Sequence, residues 1–411
     1  MAHRLGNFYT PPMTEVTLDQ HAHFPACATP VDAACAKNVQ EIANLYPTAT
    51  WDNASRDILT IGPELDPIAV GKSAFTTWQW VNIHLMRTAR PRKKAATVGA
   101  ARNEGPYLVE WLAHHRVVGF DHAFIYTNNN TDGSDAVLEL LHAAGVITLI
   151  RNVVGASVSP QKKAYQHSIQ LLRQLREYEW VGYFDFDELL VPDQAFDFSV
   201  RAFLDHGIAK RGGIAPGAVL LHWDWFGSDG IIHHGPGLMA ERFTLRKDYA
   251  CIKPLVHLPS ISEMDNIHVP DFDVPFVNSA FNDAIMTPWV SYPIDYSGAR
   301  LHHYFQRSFA EFANKRFRGL GDTAVNTPGR DFDTFFDWEP VAGTDGTRRA
   351  FPQPLLDRVK AEIERLLTIP GLQEAVSASE AEHAKISAAM FGDDIVAVWE
   401  RLSGKTAPVT P

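Results

Sequence analysis

The run Trp180-Val181-Gly182-Tyr183-Phe184-Asp185-Phe186-Asp187-Glu188-Leu189-Leu190-Val191-Pro192 decides the fold. Trp180 to Phe184 is apolar and aromatic and stops at a sudden cluster of acids, the pattern of a buried strand that delivers carboxylates at its C-terminal end. In an open parallel α/β sheet that end is where ligands bind. Asp185 and Asp187 lie two apart, so strand geometry predicts that both point one way, with Phe186 on the opposite face. Two hard carboxylates on one face suit a divalent cation that keeps open positions for phosphate oxygens. A bare Asp-x-Asp is also the chemistry of an ordinary solvated turn, so the flanking sequence has to decide.

Upstream, the pattern is regular β/α alternation. Ala95–Ala101 is a small-residue apolar run that reads as a first strand, ending in Arg102-Asn103-Glu104-Gly105-Pro106; Pro106 suits the first turn of a helix. Leu108, Leu112, His115 and Val118 follow at helical spacing. Ala123–Tyr126 predicts the next strand and ends in Asn128-Asn129-Asn130-Thr131-Asp132-Gly133-Ser134. Ser134 is expected to cap a helix through Leu141, with Gly145 ending it. Val146–Ile150 is a third strand, and Tyr165, Ile169, Leu172 and Leu175 mark a helix before the fourth, at Trp180. Strands separated by helices imply right-handed crossovers and a mostly parallel central sheet flanked by helices, an α/β, Rossmann-like class.

Downstream the alternation loosens. Val219–Phe226 predicts a strand with a heavy aromatic load (Trp223, Trp225, Phe226), followed by the turn Gly227-Ser228-Asp229-Gly230. Glu241–Leu245 and Cys251–Leu258 read as strands, Asp265–Pro293 as a long loop, Phe309–Phe317 as a helix, and Leu355–Leu367 and Glu380–Leu402 as a helical C-terminal tail. Before the alternation, Val31–Leu45 reads as a short helix and Ala69–Leu85 as a strand pair, and the basic run Arg87–Lys94 as a solvated linker. This divides the chain into an N-terminal accessory region (1–94), a central α/β domain (95–325) and a helical extension (326–411).

The 411 residues are 45% hydrophobic and 21% charged, with a net charge of -11, which argues against nucleic acid or an anionic membrane surface as the main partner. Cys27, Cys35 and Cys251 have no metal-ligand spacing and no even disulfide count. With no apolar signal core and no stretch long enough to span a bilayer, a soluble cytoplasmic protein is expected.

Three polar clusters sit at consecutive strand ends: Arg102-Asn103-Glu104, Asn128 to Asp132, and Asp185 to Glu188. Strand ends of one parallel sheet share an edge, which predicts one common site. There is neither a Gly-x-Gly-x-x-Gly after the first strand nor a Walker-type loop, so phosphates would be held by a metal instead. His303, in His302-His303-Tyr304-Phe305, can complete a carboxylate site, and an imidazole favours Mn²⁺ over Mg²⁺.

The run AARNEGPYLVEWLAHHRVVGFDHAFIYTNNNTDGSDAVLELL and then YFDFDELLVP resembles the GT-A-type nucleotide-sugar glycosyltransferases, closest to the family 2-like and family 92 group. HWDWFGSDG, ERFTLRKDYACIKPLV, NIHVP and HHYFQRSFAEFANKRFRG resemble that group's distal half in the same order, so that the likeness covers roughly residues 95–320. Gly230 is followed by Ile231 where the group leads one to expect a histidine, a departure on the acceptor side.

The resemblance implies a metal-dependent, inverting transfer of a sugar, from a UDP-sugar in preference to other donors, to a glycan or other hydroxyl acceptor in bacterial polysaccharide or glycan synthesis. It implies that Arg102, Asn103 and Glu104 line the nucleotide pocket with Asn128, Asp132 and Gln161 close by. Asp185 would face the ribose or the metal, and Asp187 and His303 the metal; Lys253, Lys315 and Arg318 would meet the diphosphate. An acidic base is then needed on the acceptor side. Asp229, in its flexible turn, ranks ahead of Asp224 and Glu241. A nucleotidyltransferase fits less well, because Arg102-Asn103-Glu104 is no Gly-rich basic loop; a degenerate GT-A domain that binds glycan without turnover is the remaining reading.

Overall fold

The computed structural model describes residues 57–70, 91–264, 266–272, 275–287, 289–325, 327–392 and 394–406. The expected Val31–Leu45 helix and all but the first two residues of the Ala69–Leu85 strand pair lie outside them.

The expected α/β class holds, with a central multi-stranded sheet between helices. Its first half is parallel: β1 (Leu59–Ile61), β4 (Ile147–Asn152), β3 (His122–Thr127), β2 (Lys93–Ala101) and β5 (Tyr178–Tyr183) lie side by side in that order. The crossovers run through α1 (Leu108–Val117), α2 (Ser134–Ala143) and α3 (Pro160–Gln170). These strands read as apolar runs because helices cover both faces. Tyr107, Trp111, Leu112, Val137 and Leu141 pack on one side, and Ala164, Tyr165 and Ile169 on the other.

The order then becomes mixed. Beyond β5 come β8 (Leu245–His257), antiparallel to it, then β7 (Ala218–Phe226), β14 (Ala299–His303) and β6 (Glu188–Pro192). The chain runs from β2 outward through β3 and β4, then returns to place β5 on the other flank of β2. That reversal is the topological switch point, where open sheets bind ligands outside the strands' carboxyl ends. Both the Arg102–Glu104 turn and the Asp185–Asp187 turn project from it.

Several local expectations are corrected. The basic run does not end as a linker: Lys93 and Lys94 open β2, with Lys94 paired to Glu179 at 3.0 Å and Asp205 at 2.9 Å. Ser134 is the first helical residue rather than the cap, and it donates to Asp132 Oδ1 (2.5 Å) and accepts from Glu104 N (3.1 Å). Glu241–Leu245 is not a strand. Met239–Arg242 forms the one-turn helix α5, because the Glu110 carboxylate accepts from Met239 N (2.9 Å) and Ala240 N (3.2 Å), and β8 starts only at Leu245.

After β8 come the short strands β9 (Ile261–Met264), β10 (Pro270–Phe272) and β11 (Val277–Asn278) and the hairpin of β12 (Ile285–Met286) and β13 (Ser291–Tyr292), so 265–293 is not loop alone. α4 (Val200–Lys210) precedes β7, and α7 (Phe332–Asp337) precedes the C-terminal tail, which comprises α8 (Gln353–Leu367), α9 (Leu372–Phe391) and α10 (Ile395–Ser403), broken at Gly392 with φ +63. It is not separate from the sheet layers: α8 packs on α1, and α9 on α2 and α6 (Phe309–Arg318). β1, from the N-terminal region, likewise extends the sheet beside β4.

Candidate active site

β5 ends at Tyr183, one turn before the acids, so Asp185 and Asp187 stand in the turn leading to β6 and not on a strand. Their side chains therefore take different partners. Asp185 accepts from Gln161 Nε2 (2.5 Å) and Lys253 Nζ (3.0 Å), while Asp187 accepts from Lys315 Nζ and lies 3.5 Å from His303 Nε2. Phe186 anchors the turn, its ring 4.6 Å from that of Trp111 and fitted over Gly99, where a Cβ would come within 3.0 Å of it. The Trp111 indole donates to Asp185 O (2.9 Å).

Glu188 holds the turn from below. Fully buried, it accepts from Asp185 N (2.8 Å) and from the Trp223 indole (2.7 Å). Burial, against the attraction of Lys253 and reinforced by Asp185 and Asp187, raises its carboxyl well above the usual range. Burial would raise Asp187 too, but Lys315 and His303 outweigh it and keep the carboxylate charged. Burial lowers His303 from its usual value, against the opposing pull of Asp187.

These groups open on a cavity of about 610 Å³ lined by Arg102, Glu104, Asn128, Gln161, Asp185, Asp187, His303, Lys315 and Arg318 among others. Nine of the residues expected from sequence thus meet at one place. Lys253 lies beneath, reaching Asp185 from β8. Asn103 and Asp132 brace the loops instead. Asn103, at φ +53, exchanges hydrogen bonds with Asn130 and Thr131, and Asp132 accepts from Gly105 N (3.2 Å) and pairs with His383 of α9 (2.9 Å).

None of the three carboxylates offered as a base lines the cavity. Asp229 accepts from Thr244 N (2.7 Å) and Leu245 N (3.2 Å) and pairs with Arg348, clamping the start of β8. Glu241 caps α5 and pairs with Lys360 (2.5 Å). Asp224 sits between Trp223 and Trp225, and since those face the cavity, strand alternation turns it to the opposite face, against Arg246 and Arg300.

Sequence reasoning passed over Arg307, which has φ +54 and ties the site together. It stacks 3.4 Å over the Tyr107 ring, pairs with Glu104 (3.2 Å) and donates to Phe186 O (3.2 Å). Also missed was His268, which lines the cavity. Its Nδ1 lies 2.8 Å from Ile252 O, an acceptor only, so the proton is on Nδ1 and Nε2 keeps its lone pair. Burial, reinforced by Lys253, lowers it to about 4. The motif NIHVP was the available signal.

For a divalent cation the fit is to two side chains. Asp187 Oδ2 and His303 Nε2, 3.5 Å apart, are close to the separation of adjacent ligands bound at about 2.1 Å to one ion. Asp185 is turned toward Lys253, and among the described residues no three His, Cys, Asp or Glu side chains already converge. The remaining positions would fall to ligand oxygens.

Residues 98–207, which span the first three crossovers and the acid turn, match the model of glycosyltransferase family 92. This segment is thus similar to a family 92 glycosyltransferase domain. Family 92 proteins of Arabidopsis thaliana (34% identical over 86 residues), Ricinus communis (38% over 87) and Oryza sativa subsp. japonica (32% over 89) are similar to part of this chain. The matched stretch is 21–22% of this chain and only 14–15% of the length of those relatives. Among solved structures, Staphylococcus aureus TarS 1–349 aligns over 72% of this chain and 91% of its own, at 11% identity and a TM-score of 0.29. No helix among the described residues is long and apolar enough to cross a membrane.

Proposed function

We propose that this protein transfers a sugar from a nucleotide-sugar, a UDP-sugar in preference to others, to an acceptor hydroxyl with inversion, in polysaccharide or glycan assembly. The observation that carries this reading is the Asp185–Asp187 turn, which stands at the sheet's switch point, inside the segment similar to family 92, and opens on a cavity with cations on its walls. Asp187 and His303 would hold a divalent ion, Mn²⁺ rather than Mg²⁺ because of the imidazole. Bound there, it would neutralise charge developing on the leaving diphosphate as a Lewis acid.

The chain's own groups supply the rest. Lys315, Arg318 and Arg102 bring positive charge to the diphosphate. Lys253 and Gln161 fix the Asp185 carboxylate, which is thereby presented to the ribose hydroxyls. With Asp229, Glu241 and Asp224 engaged elsewhere, His268 Nε2, the bare nitrogen on the cavity wall, is placed to accept a hydrogen bond from the acceptor hydroxyl and so orient it.

The lysines on Asp185 and Asp187 also suit the second reading, a metal-independent glycan-binding module. Release of UDP or GDP from a panel of their sugars, with Mn²⁺ or with EDTA, separates the two. The expected result is Mn²⁺-dependent release of one nucleotide, reduced about 10²- to 10³-fold in Asp187→Asn. No release from any donor would overturn the enzyme reading in favour of the module.

A further inference from the structure

One wall of the cavity is aromatic and holds none of the cations assigned to the diphosphate. Trp225 lies 5.0 Å from His303, ring to ring, and stacks at 4.8 Å on Tyr249 while meeting Trp338 at 5.5 Å, so an aromatic surface runs outward from the acid turn. The tryptophans of β7 are themselves buried, Trp225 fully and Trp223 to 9% exposure.

Trp289 differs: it lines the same cavity yet is 58% exposed. Its position is fixed by backbone, since Trp289 O accepts from Ile252 N (3.2 Å) and Val290 bridges Cys251, which hangs the β12–β13 hairpin against β8 beside Tyr249. A large indole left in water at a cavity rim forgoes the gain of burial and calls for a ligand with an apolar face.

We propose that Trp289 is the stacking platform of an acceptor subsite that takes the terminal pyranose ring of a glycan; this deepens the transferase reading and rests on it. A pyranose offers a face of C–H groups with hydroxyls at its edge. The indole suits the face. Tyr249, His268 and Arg330, which lies 4.8 Å over the Trp338 ring, supply hydroxyl partners on the same wall. The subsite is continuous with the cavity that holds the donor groups, as an acceptor must be. That continuity favours a sugar over a lipid surface, the other occupant the exposed Ile285 and Tyr292 of the hairpin would accept.

The test is saturation-transfer NMR on the full chain with methyl β-D-galactopyranoside, methyl β-D-glucopyranoside and methyl α-D-mannopyranoside. Trp289→Ala, Trp289→Phe and Ile285→Ala are compared with wild type, and UDP is titrated separately by calorimetry in the presence of Mn²⁺. At least one glycoside is expected to bind, about tenfold more weakly in Trp289→Ala and near wild type in Trp289→Phe and Ile285→Ala. No glycoside bound by wild type, equal binding by Trp289→Ala, or equal loss in Ile285→Ala overturns the subsite. So does neutral phosphatidylcholine vesicle binding that Trp289→Ala abolishes while no glycoside binds. Glycoside binding without UDP binding keeps the subsite and removes the transferase reading; UDP binding without glycoside binding does the reverse.

Discussion

Glu311→Gln probes the joint between the site and the C-terminal half. The Glu311 side chain, 1% exposed, takes both nitrogens of the Arg242 fork (3.1 and 2.7 Å), accepts from Tyr107 Oη (2.9 Å) and caps α6 at Ser308 N (3.1 Å). His234 stands 3.9 Å away, and Arg307 approaches from the Tyr107 side. Burial alone would raise the carboxyl, but Arg242, helped by His234 and Ser308, holds it down from 4.5 to about 2. That difference corresponds to about 3 kcal/mol of stability, in the range of about 3–5 kcal/mol for breaking a buried pair.

A depressed folded-state value gives stability that is fully present above 4.5 and drains away as pH falls through about 2. In scanning calorimetry at pH 7, Glu311→Gln is expected to lower Tm by roughly 3–5 °C. By pH 3.5 about 1.4 kcal/mol of the wild-type advantage is gone, closing the gap by roughly 1.5–2 °C. A gap that stays constant from pH 7 to 3.5, or none at pH 7, would refute the reasoning.

Three other substitutions test how the turn is held. Gly99→Ala drives a Cβ to 3.0 Å from the Phe186 ring, which Trp111 keeps from moving; a loss of about 1–3 kcal/mol in urea unfolding is expected, with weaker nucleotide binding. His383→Ala removes a partner of the fully buried Asp132, which His383 and Ser134 keep at about 2 against burial; about 1–3 kcal/mol should be lost by the same measurement. Lys253→Met leaves Asp185 and the buried Glu188 without their shared cation, so calorimetry should show weakened UDP binding together with lowered Tm.

The parallel half of the sheet was legible because β2 to β5 are apolar runs punctuated by Asn, Gly and Pro, and the site followed because polar clusters recur at their ends. What failed was phase and distance. Asp185 and Asp187 share no strand face, since the chain leaves the sheet at Phe184. Glu241–Leu245 alternates like a strand, but Glu110, 129 residues before Met239, caps it into a helix, which no local window registers. For Asp224 the alternation was legible, since Trp223 and Trp225 share a face and turn the residue between them to the other, but which face meets the cavity was not. β1 is too short to announce itself, and Trp289 lies in a Pro- and Asn-rich stretch that resembles loop alone.

The most direct test of the donor site is calorimetric titration of UDP and of GDP, with Mn²⁺ and with EDTA, into wild type and Asp187→Ala. Binding of one nucleotide that requires Mn²⁺ and is lost in Asp187→Ala is the predicted result. Binding of neither nucleotide under any condition, or binding indifferent to both EDTA and Asp187→Ala, would contradict it.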